Sequence, residues 1–562
     1  MNPKRRAGFV VWARRSVQAG VFIFFLGLFW LAQARPDGGA SPLIRFFFNI
    51  NPLAGGITWL TTHALIVPML LGLVTVATAL VFGRAFCGWV CPLGTVHAAA
   101  TWFSKRRAAR RPGADNWTGW QRSKYDLLIG LAAMALFGLH WTGVFDPFSV
   151  LYRSFTAGVY PGVQYAAEDA ATSVYFSDPH AGPVHLTSLT EPAYKFLKRS
   201  VYARDRQVFN GAVLILVLFA GIVLLNLYRK RFWCRYACPL GALLGMCSLR
   251  PIMRLASVEG RCNDCGKCAT RCPAAADPDK PNGWRPTECY TCFNCVAACN
   301  RGAIDFKFKS PLPAPSSARL DLGKRAMLSA GVAGLGGLVL FRLTPRAQAK
   351  IYNPALIRPP GSRPEREFLE RCLKCGLCMK ACPTNGLQPT GLQAGLEGIW
   401  TPVLVPQVGY CDYACNLCGQ VCPTEAIQPL PIEEKKNAKI GLAVFDRGRC
   451  LPWAYDRECM ICEEHCPTSP KAIFCIPAQL TTRDGTTITI KQPRVDPEKC
   501  IGCGICENVC VFRDQPAIRI TSANESRNTK NQAILGGVSG WKQIESAPTE
   551  PPAPASDPYA GN

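Results

Sequence analysis

Asp, Glu, Lys and Arg are missing altogether from four long stretches of this chain: residues 17–34, 64–82, 127–145 and 208–228. Uncharged runs of this length match the ~20 apolar residues with which a helix crosses a bilayer. Four of them, flanked by basic clusters, exclude an ordinary soluble core. Acidic residues are also scarce, 38 against 63 Lys and Arg, for a net charge of +25. The excess lies beside the apolar runs and on no recognisable binding motif, which argues for membrane topology and against nucleic acid. A disulfide framework is excluded as well. The 30 cysteines are spread over 562 residues and repeat a metal-binding spacing, unlike those of a short secreted scaffold.

The basic residues orient the spans. Lys4, Arg5, Arg6, Arg14 and Arg15 precede the first, and Lys105 to Lys124 bring seven more after the second. Arg229, Lys230, Arg231 and Arg235 follow the fourth, whereas the first connection holds only Arg35 and Arg45. Positive charge stays inside, so the N-terminus, the second connection and the segment after span four are expected in the cytoplasm, and residues 146–206 outside. A fifth, Gly- and Ala-rich run at 326–341 follows Lys324-Arg325 and precedes Ala347-Gln348-Ala349. It reads as an export signal or a fifth transmembrane helix, and either places the downstream chain outside. The expected fold class is an α-helical membrane bundle of four to five transmembrane helices plus α+β ferredoxin-like [4Fe–4S] domains. The expected domains are a membrane part at 1–250, a cytoplasmic two-cluster unit at 251–309 and a linker with the fifth segment at 310–349. A four-cluster exported domain at 350–522 and a disordered tail at 523–562 complete the chain.

Six cysteine runs carry the chemistry. A cubane cluster takes four thiolates: three from one C-x2-C-x2-C loop and a fourth from elsewhere, often a Cys before Pro. In two-cluster ferredoxins the last Cys of each run serves the other cluster. The first domain holds Cys262, Cys265, Cys268, Cys272 and Cys289, Cys292, Cys295, Cys299. Crossed pairing there joins Cys299 to the first three and Cys272 to Cys289, Cys292 and Cys295. The second domain holds Cys372, Cys375, Cys378, Cys382; Cys411, Cys415, Cys418, Cys422; Cys450, Cys459, Cys462, Cys466; and Cys500, Cys503, Cys506, Cys510. These six runs imply six [4Fe–4S] clusters. Zinc rarely uses four cysteines in this arrangement. The apolar pieces Ala426-Ile427 and Ala517-Ile518 read as ferredoxin strands.

Two further motifs end spans two and four: FCGWVCPLG with Cys87 and Cys91, and FWCRYACPLG with Cys234 and Cys238. The repeat is an internal duplication. Its i, i+4 thiols are expected on one helix face, where four together would hold another cluster or act as redox dithiols. Cys247 and Cys475 are expected to have no role.

The spans with paired C-x3-CP motifs and a two-cluster ferredoxin resemble NapH-type membrane quinol dehydrogenases. From Lys324 onward the chain resembles NapG- and MauM-type ferredoxins, most closely in GIWTPVLVPQVGYCDYACNLCGQVCPTEAI. The resemblance implies a fusion of the two, a quinol dehydrogenase component of an anaerobic respiratory chain. It sits in the bacterial inner membrane, draws on the quinone pool and feeds a periplasmic reductase or c-type cytochrome, with room for a membrane partner subunit. An accessory or maturation protein is the alternative, since the membrane copper-reductase and nitrous-oxide-reductase activator families share C-x3-CP. Quinol oxidation needs a proton acceptor; His63, His97, His140 and Asp146 are the candidates near the spans. Two pairings are open in the outer domain. Sequential pairing joins runs one with two and three with four. Nested pairing joins one with four and two with three; it is favoured by the irregular spacers of runs two and three and by multi-cluster subunits of respiratory enzymes.

Overall fold

The computed structural model describes residues 3–33, 39–105, 115–528 and 531, apart from 179, 182–183, 186, 203–205, 259, 280–282, 310–322, 343–352 and 482–484. The basic residues at 106–111, the linker after 309, the Ala-Gln-Ala sequence and most of the expected tail lie outside these.

The N-terminal part contains helices α1 (Pro3–Leu31), α2 (Gly72–Phe82), α3 (Pro92–Lys105), α4 (Ser123–Leu136), α5 (Pro147–Ser154) and α6 (Ala212–Leu224). Among the described residues two helices are long and apolar enough to cross a membrane, Arg5–Leu31 and Arg325–Arg342; Val67–Phe82 and Ala212–Leu227 are shorter apolar helices. The apolar run at 127–145 is not one helix. α4 ends at Leu136, and Gly138 turns the chain with φ +82, a conformation that glycine adopts without a Cβ penalty.

The segment after 146, expected outside, begins buried instead. Asp146 caps α5, its Oδ2 accepting from Ser149 N at 2.8 Å, and every residue of α5 is buried. The cause is aromatic packing. Tyr152 meets Phe25 of α1 at 4.8 Å between ring centres, and Phe155, in the π-turn that follows, meets Phe219 of α6 at 6.3 Å. Burying large rings stabilises by roughly 2–3 kcal/mol each, more than an exposed loop of this composition would gain.

The first cysteine unit, termed inner for the side expected of it, runs β1 (Met253–Ser257), α7 (Lys267–Arg271), α8 (Asn294–Ala298) and β2 (Ile304–Phe308), with β1 antiparallel to β2 and Met253 opposite Phe308. α9 (Lys324–Arg342) then packs along α4. The C-terminal domain, termed outer for the side expected of it, repeats the ferredoxin plan twice. In its first half, α10 (Leu377–Ala381), the hairpin β3 (Leu387–Pro389) and β4 (Pro402–Leu404), and α11 (Leu417–Gln420) are closed by an antiparallel bridge between Ser362 and Ile427. The second half runs β5 (Leu442–Phe445), α12 (Ile461–Glu464), β6 (Ile473–Thr481), β7 (Thr487–Val495), α13 (Ile505–Asn508) and β8 (Ile518–Thr521), with β5 antiparallel to β8. In all three units an opening segment pairs with a closing one and encloses two consecutive cysteine runs.

The start of the expected disordered tail is ordered. Asn524 and Glu525 are buried, and Arg527 pairs with Glu365 and Glu525. The outer domain also sits directly on the N-terminal part. Lys374 Nζ donates to the His140 carbonyl at 2.6 Å, Arg153 Nη1 to the Lys374 carbonyl at 2.9 Å, and Thr61 Oγ1 to the Glu370 carbonyl at 2.8 Å.

Candidate metal centres

The fold gathers most of the cysteines of these runs in fours. In the inner unit, Cys272 lies within electrostatic reach of Cys289, Cys292 and Cys295, and Cys299 within reach of Cys268. The first is the crossed set expected from the spacing; of the second, Cys268 and Cys299 are brought together. Cys262 and Cys265 are the two exposed cysteines of the thirty.

The outer domain pairs its runs sequentially, not in the nested way. Cys422 acts on Cys372, Cys375 and Cys378, and all four line one cavity. A second cavity is lined by Cys382, Cys411, Cys415 and Cys418, and a third by Cys450, Cys459, Cys462 and Cys510. Cys466 acts on Cys500, Cys503 and Cys506. The reason is the strand plan: each opening and closing pair encloses consecutive runs, so the irregular spacers of runs two and three fall in different units. The two halves touch through Cys411 N, which donates to the Cys503 carbonyl at 2.8 Å.

The sites suit clusters. Burial pushes the Cys272 and Cys411 thiols up to about 11, so burial alone disfavours thiolate there; bound iron reverses this, because a coordinated thiol is deprotonated. Backbone N–H groups already point at sulfur. Ala276 N reaches Cys272 Sγ at 3.4 Å, Ala303 N reaches Cys299 Sγ at 3.2 Å, and Ala443 N reaches Cys500 Sγ at 3.5 Å. Such bonds tune cluster potentials. Among the described residues, no three His, Cys, Asp or Glu side chains close tightly enough to hold a single metal ion; the thiols stand around cavities instead.

The two C-x3-CP motifs also meet. Cys87 and Cys234 both act on Cys91 and on Cys238. Their helical geometry differs from expectation: a break separates each pair, so the thiols do not share one helix face. Cys87 belongs to a short helix, Ala85–Trp89, and Cys234 to another, Phe232–Tyr236. Cys238 caps the following helix, Pro239–Cys247, and accepts from Gly241 N at 3.3 Å; Gly94 N does the same for Cys91 at the start of α3. In C-P-L-G, therefore, Cys is the cap, Pro takes the first helical position, and Gly supplies the donor. A Cβ on Gly241 would lie 2.5 Å from Arg84 Nη2, so glycine also makes room for that guanidinium.

Sequence reasoning missed the surrounding charges. Arg84, Lys124, Arg231 and Glu288 are all buried. Glu288 pairs with Arg84 at 3.2 Å and with Lys124, whereas Arg231 faces the Tyr290 ring at 4.9 Å. Buried cations outnumber the carboxylate that serves them, which suits an anionic occupant; a cubane with four thiolates is an anion. The signal was in the duplication itself, because Arg84 and Arg231 each stand three residues before the first Cys of their motif.

The expected proton acceptors are not gathered into one niche. His63 is exposed and ends its helix with φ 53. His140 is buried with Nε2 3.4 Å from Thr58 Oγ1, His97 is buried with Nδ1 2.6 Å from Asn226 Nδ2, and Asp146 is taken up by Ser149 and Asn51. Cys475 lies on β6 beside Glu463 and Cys462, and Cys247 ends its helix.

Comparison with known proteins bears on these sites. Residues 64–111 and 212–252, around the two C-x3-CP motifs, match a 4Fe-4S binding domain family. Residues 255–300 match a 4Fe-4S dicluster domain, and residues 368–388 and 493–510 another 4Fe-4S binding domain. The ferredoxin-type protein NapG of Escherichia coli K12 is 35% identical over 207 residues, which is 36% of this chain and 87% of NapG. The methylamine utilization ferredoxin-type protein MauM of Methylorubrum extorquens is 35% identical over 208 residues, 36% of this chain and 89% of MauM. The putative electron transport protein YccM of E. coli K12 is 26% identical over 250 residues, 43% of this chain and 56% of YccM. No solved structure matches.

Proposed function

This chain belongs to the NapG and MauM family of ferredoxin-type proteins, and we propose that it is a multi-pass membrane protein that oxidises quinol and delivers the electrons to a reductase or c-type cytochrome outside the membrane. One observation supports the electron-transfer reading: three ferredoxin-like units each enclose two cysteine runs, and a further meeting of cysteines lies in the N-terminal part.

The inner unit holds two clusters, on Cys262, Cys265, Cys268 and Cys299 and on Cys272, Cys289, Cys292 and Cys295. The outer domain holds four, on Cys372, Cys375, Cys378 and Cys422; Cys382, Cys411, Cys415 and Cys418; Cys450, Cys459, Cys462 and Cys510; and Cys466, Cys500, Cys503 and Cys506. Cys87, Cys91, Cys234 and Cys238 hold a seventh, for which the buried arginines and Lys124 speak more than they do for neutral dithiols. Bound clusters supply one-electron carriers. The protein's own part is to bind them, keep water from the buried thiols and aim N–H groups at sulfur.

Membrane location is supported by large apolar side chains left in the open, such as Leu73 at 63% and Val213 at 76% exposure, on helices where a soluble surface would be polar. On this reading α1, α2, α4, α6 and α9 lie in the bilayer, with the N-terminus and inner unit in the cytoplasm and the outer domain in the periplasm. Full-length protein in sealed vesicles, given a soluble quinol under anaerobic conditions, tests the function. Electron paramagnetic resonance should show clusters becoming reduced; clusters that dithionite reduces but quinol leaves oxidised would overturn quinol oxidation.

A further inference from the structure

The C-x3-CP thiols touch both ferredoxin parts through aromatic side chains. On the inner side, Tyr290 stands between Cys289 and Cys292 in sequence and within electrostatic reach of Cys87 and Cys234. Its ring lies between two guanidinium groups, Arg84 at 5.0 Å and Arg231 at 4.9 Å. A Cβ on Gly88 would meet the Tyr290 carbonyl at 2.7 Å, so the backbones themselves are in contact.

On the outer side the link runs through α5. Phe86, next to Cys87, meets Phe148 at 6.2 Å between ring centres. Phe148 meets Phe48 at 6.5 Å, and Phe48 meets Tyr152 at 5.2 Å. Tyr152 lies within electrostatic reach of Cys375. All four rings are buried. The junction is tight: a Cβ on Gly143 would lie 1.9 Å from the Leu373 carbonyl, and Arg153, one residue beyond Tyr152, donates to the Lys374 carbonyl at 2.9 Å. α5, Pro147–Ser154, is thus placed between the C-x3-CP thiols and the first outer cysteine set.

We propose that α5 is the electron bridge of this protein: the ring stack Phe86, Phe148, Phe48 and Tyr152 is the contact path from the C-x3-CP site to the Cys375 site, and Tyr290 is its counterpart toward the inner ferredoxin. The proposal rests on the cluster reading of the C-x3-CP thiols. Each transfer moves one electron: the donor site is oxidised by one and the acceptor site reduced by one, with no bond made and no proton moved. The rings act as a packed medium and are not themselves oxidised, so tyrosine hydroxyls are dispensable. The path makes one polypeptide sufficient to link the two sides of the membrane.

The test uses full-length, cluster-loaded protein in sealed vesicles, with dithionite, which does not cross the bilayer, on the side that carries Cys262. Freeze-quenched paramagnetic resonance follows which clusters become reduced. Wild type should reduce inner clusters first and outer clusters after them. Phe148→Leu with Tyr152→Leu should delay the outer signals alone, Tyr152→Phe should keep the wild-type delay, and Cys234→Ser should abolish outer reduction. Iron content and the fully reduced spectrum show that each variant is folded. A loaded Leu variant that reduces its outer clusters as fast as wild type would overturn the path, as would wild type whose outer clusters stay oxidised. If Cys234→Ser loses no iron relative to wild type, it is the cluster reading of the C-x3-CP site that fails.

Discussion

Arg84 Nη2 donates to the Cys234 carbonyl at 3.3 Å, and Arg231 Nη1 returns the same contact to the Cys87 carbonyl at 3.0 Å. Each half of the duplicated motif is therefore held by the arginine of the other. Replacing Arg84 by Met removes a buried charge from this exchange and from Glu288, a change expected to cost about 3–5 kcal/mol. Arg84→Met should lower the melting temperature and lose iron from the C-x3-CP site, measured together on the purified protein. Unchanged iron content would mean that the arginine serves folding only.

Sequential pairing makes a spectroscopic prediction. Cys422→Ser and Cys375→Ser should alter one and the same cluster signal, and Cys510→Ser should alter the signal that Cys459→Ser alters. Under nesting, Cys510→Ser would instead perturb the signal that Cys375→Ser perturbs. Chemical analysis should give about 28 iron atoms per chain, four for each of seven cubanes, and about four fewer in Cys234→Ser.

The meeting of Cys272 with Cys289, Cys292 and Cys295, and of Cys268 with Cys299, was legible because spacing limits which thiols reach one cubane. The sixteen outer cysteines were legible as four runs, though not which runs meet. Ala426-Ile427 and Ala517-Ile518 mark closing segments and already implied one unit per two consecutive runs; spacer irregularity was a weaker guide, since insertions fall in loops. The break between Cys87 and Cys91 was hidden, although Pro92 announced it by favouring a helix start over a helix interior. α5 was read as an outward loop because charge in the flanks governs side and is silent on whether a segment folds back. Its burial depends on rings from α1 and α6, a tertiary cause that no local pattern expresses.

Acid should weaken the outer domain through Glu365. Burial alone would raise this carboxyl, but Arg358 at 2.6 Å and Arg527 at 2.6 Å hold it down to about 2. A folded-state value below the unfolded one, ~4.3 for Glu, contributes stability that is present above that value and is lost as pH falls toward about 2. Thermal melts should decline across this window in wild type. Glu365→Gln should melt lower at neutral pH and show a shallower decline in acid; equal slopes would show that other carboxylates govern the acid limb.

α9 is held as a packed helix, and this bears on its expected role as an export signal. A Cβ on Gly334 would meet the Gly130 carbonyl oxygen at 2.6 Å and Gly130 Cα at 2.9 Å, the close backbone approach that small residues allow between membrane helices. Phe341 packs against Trp141 at 4.4 Å between ring centres, the rings tilted by 46°, which fastens the other end. A segment with these contacts is expected to stay in the protein. Intact mass of wild type isolated from membranes should include α9, and a mature product beginning after residue 349 would contradict this. Gly334→Leu should push α9 away from α4 and lower the melting temperature, whereas Val332→Leu, at a position 68% exposed, should leave it unchanged.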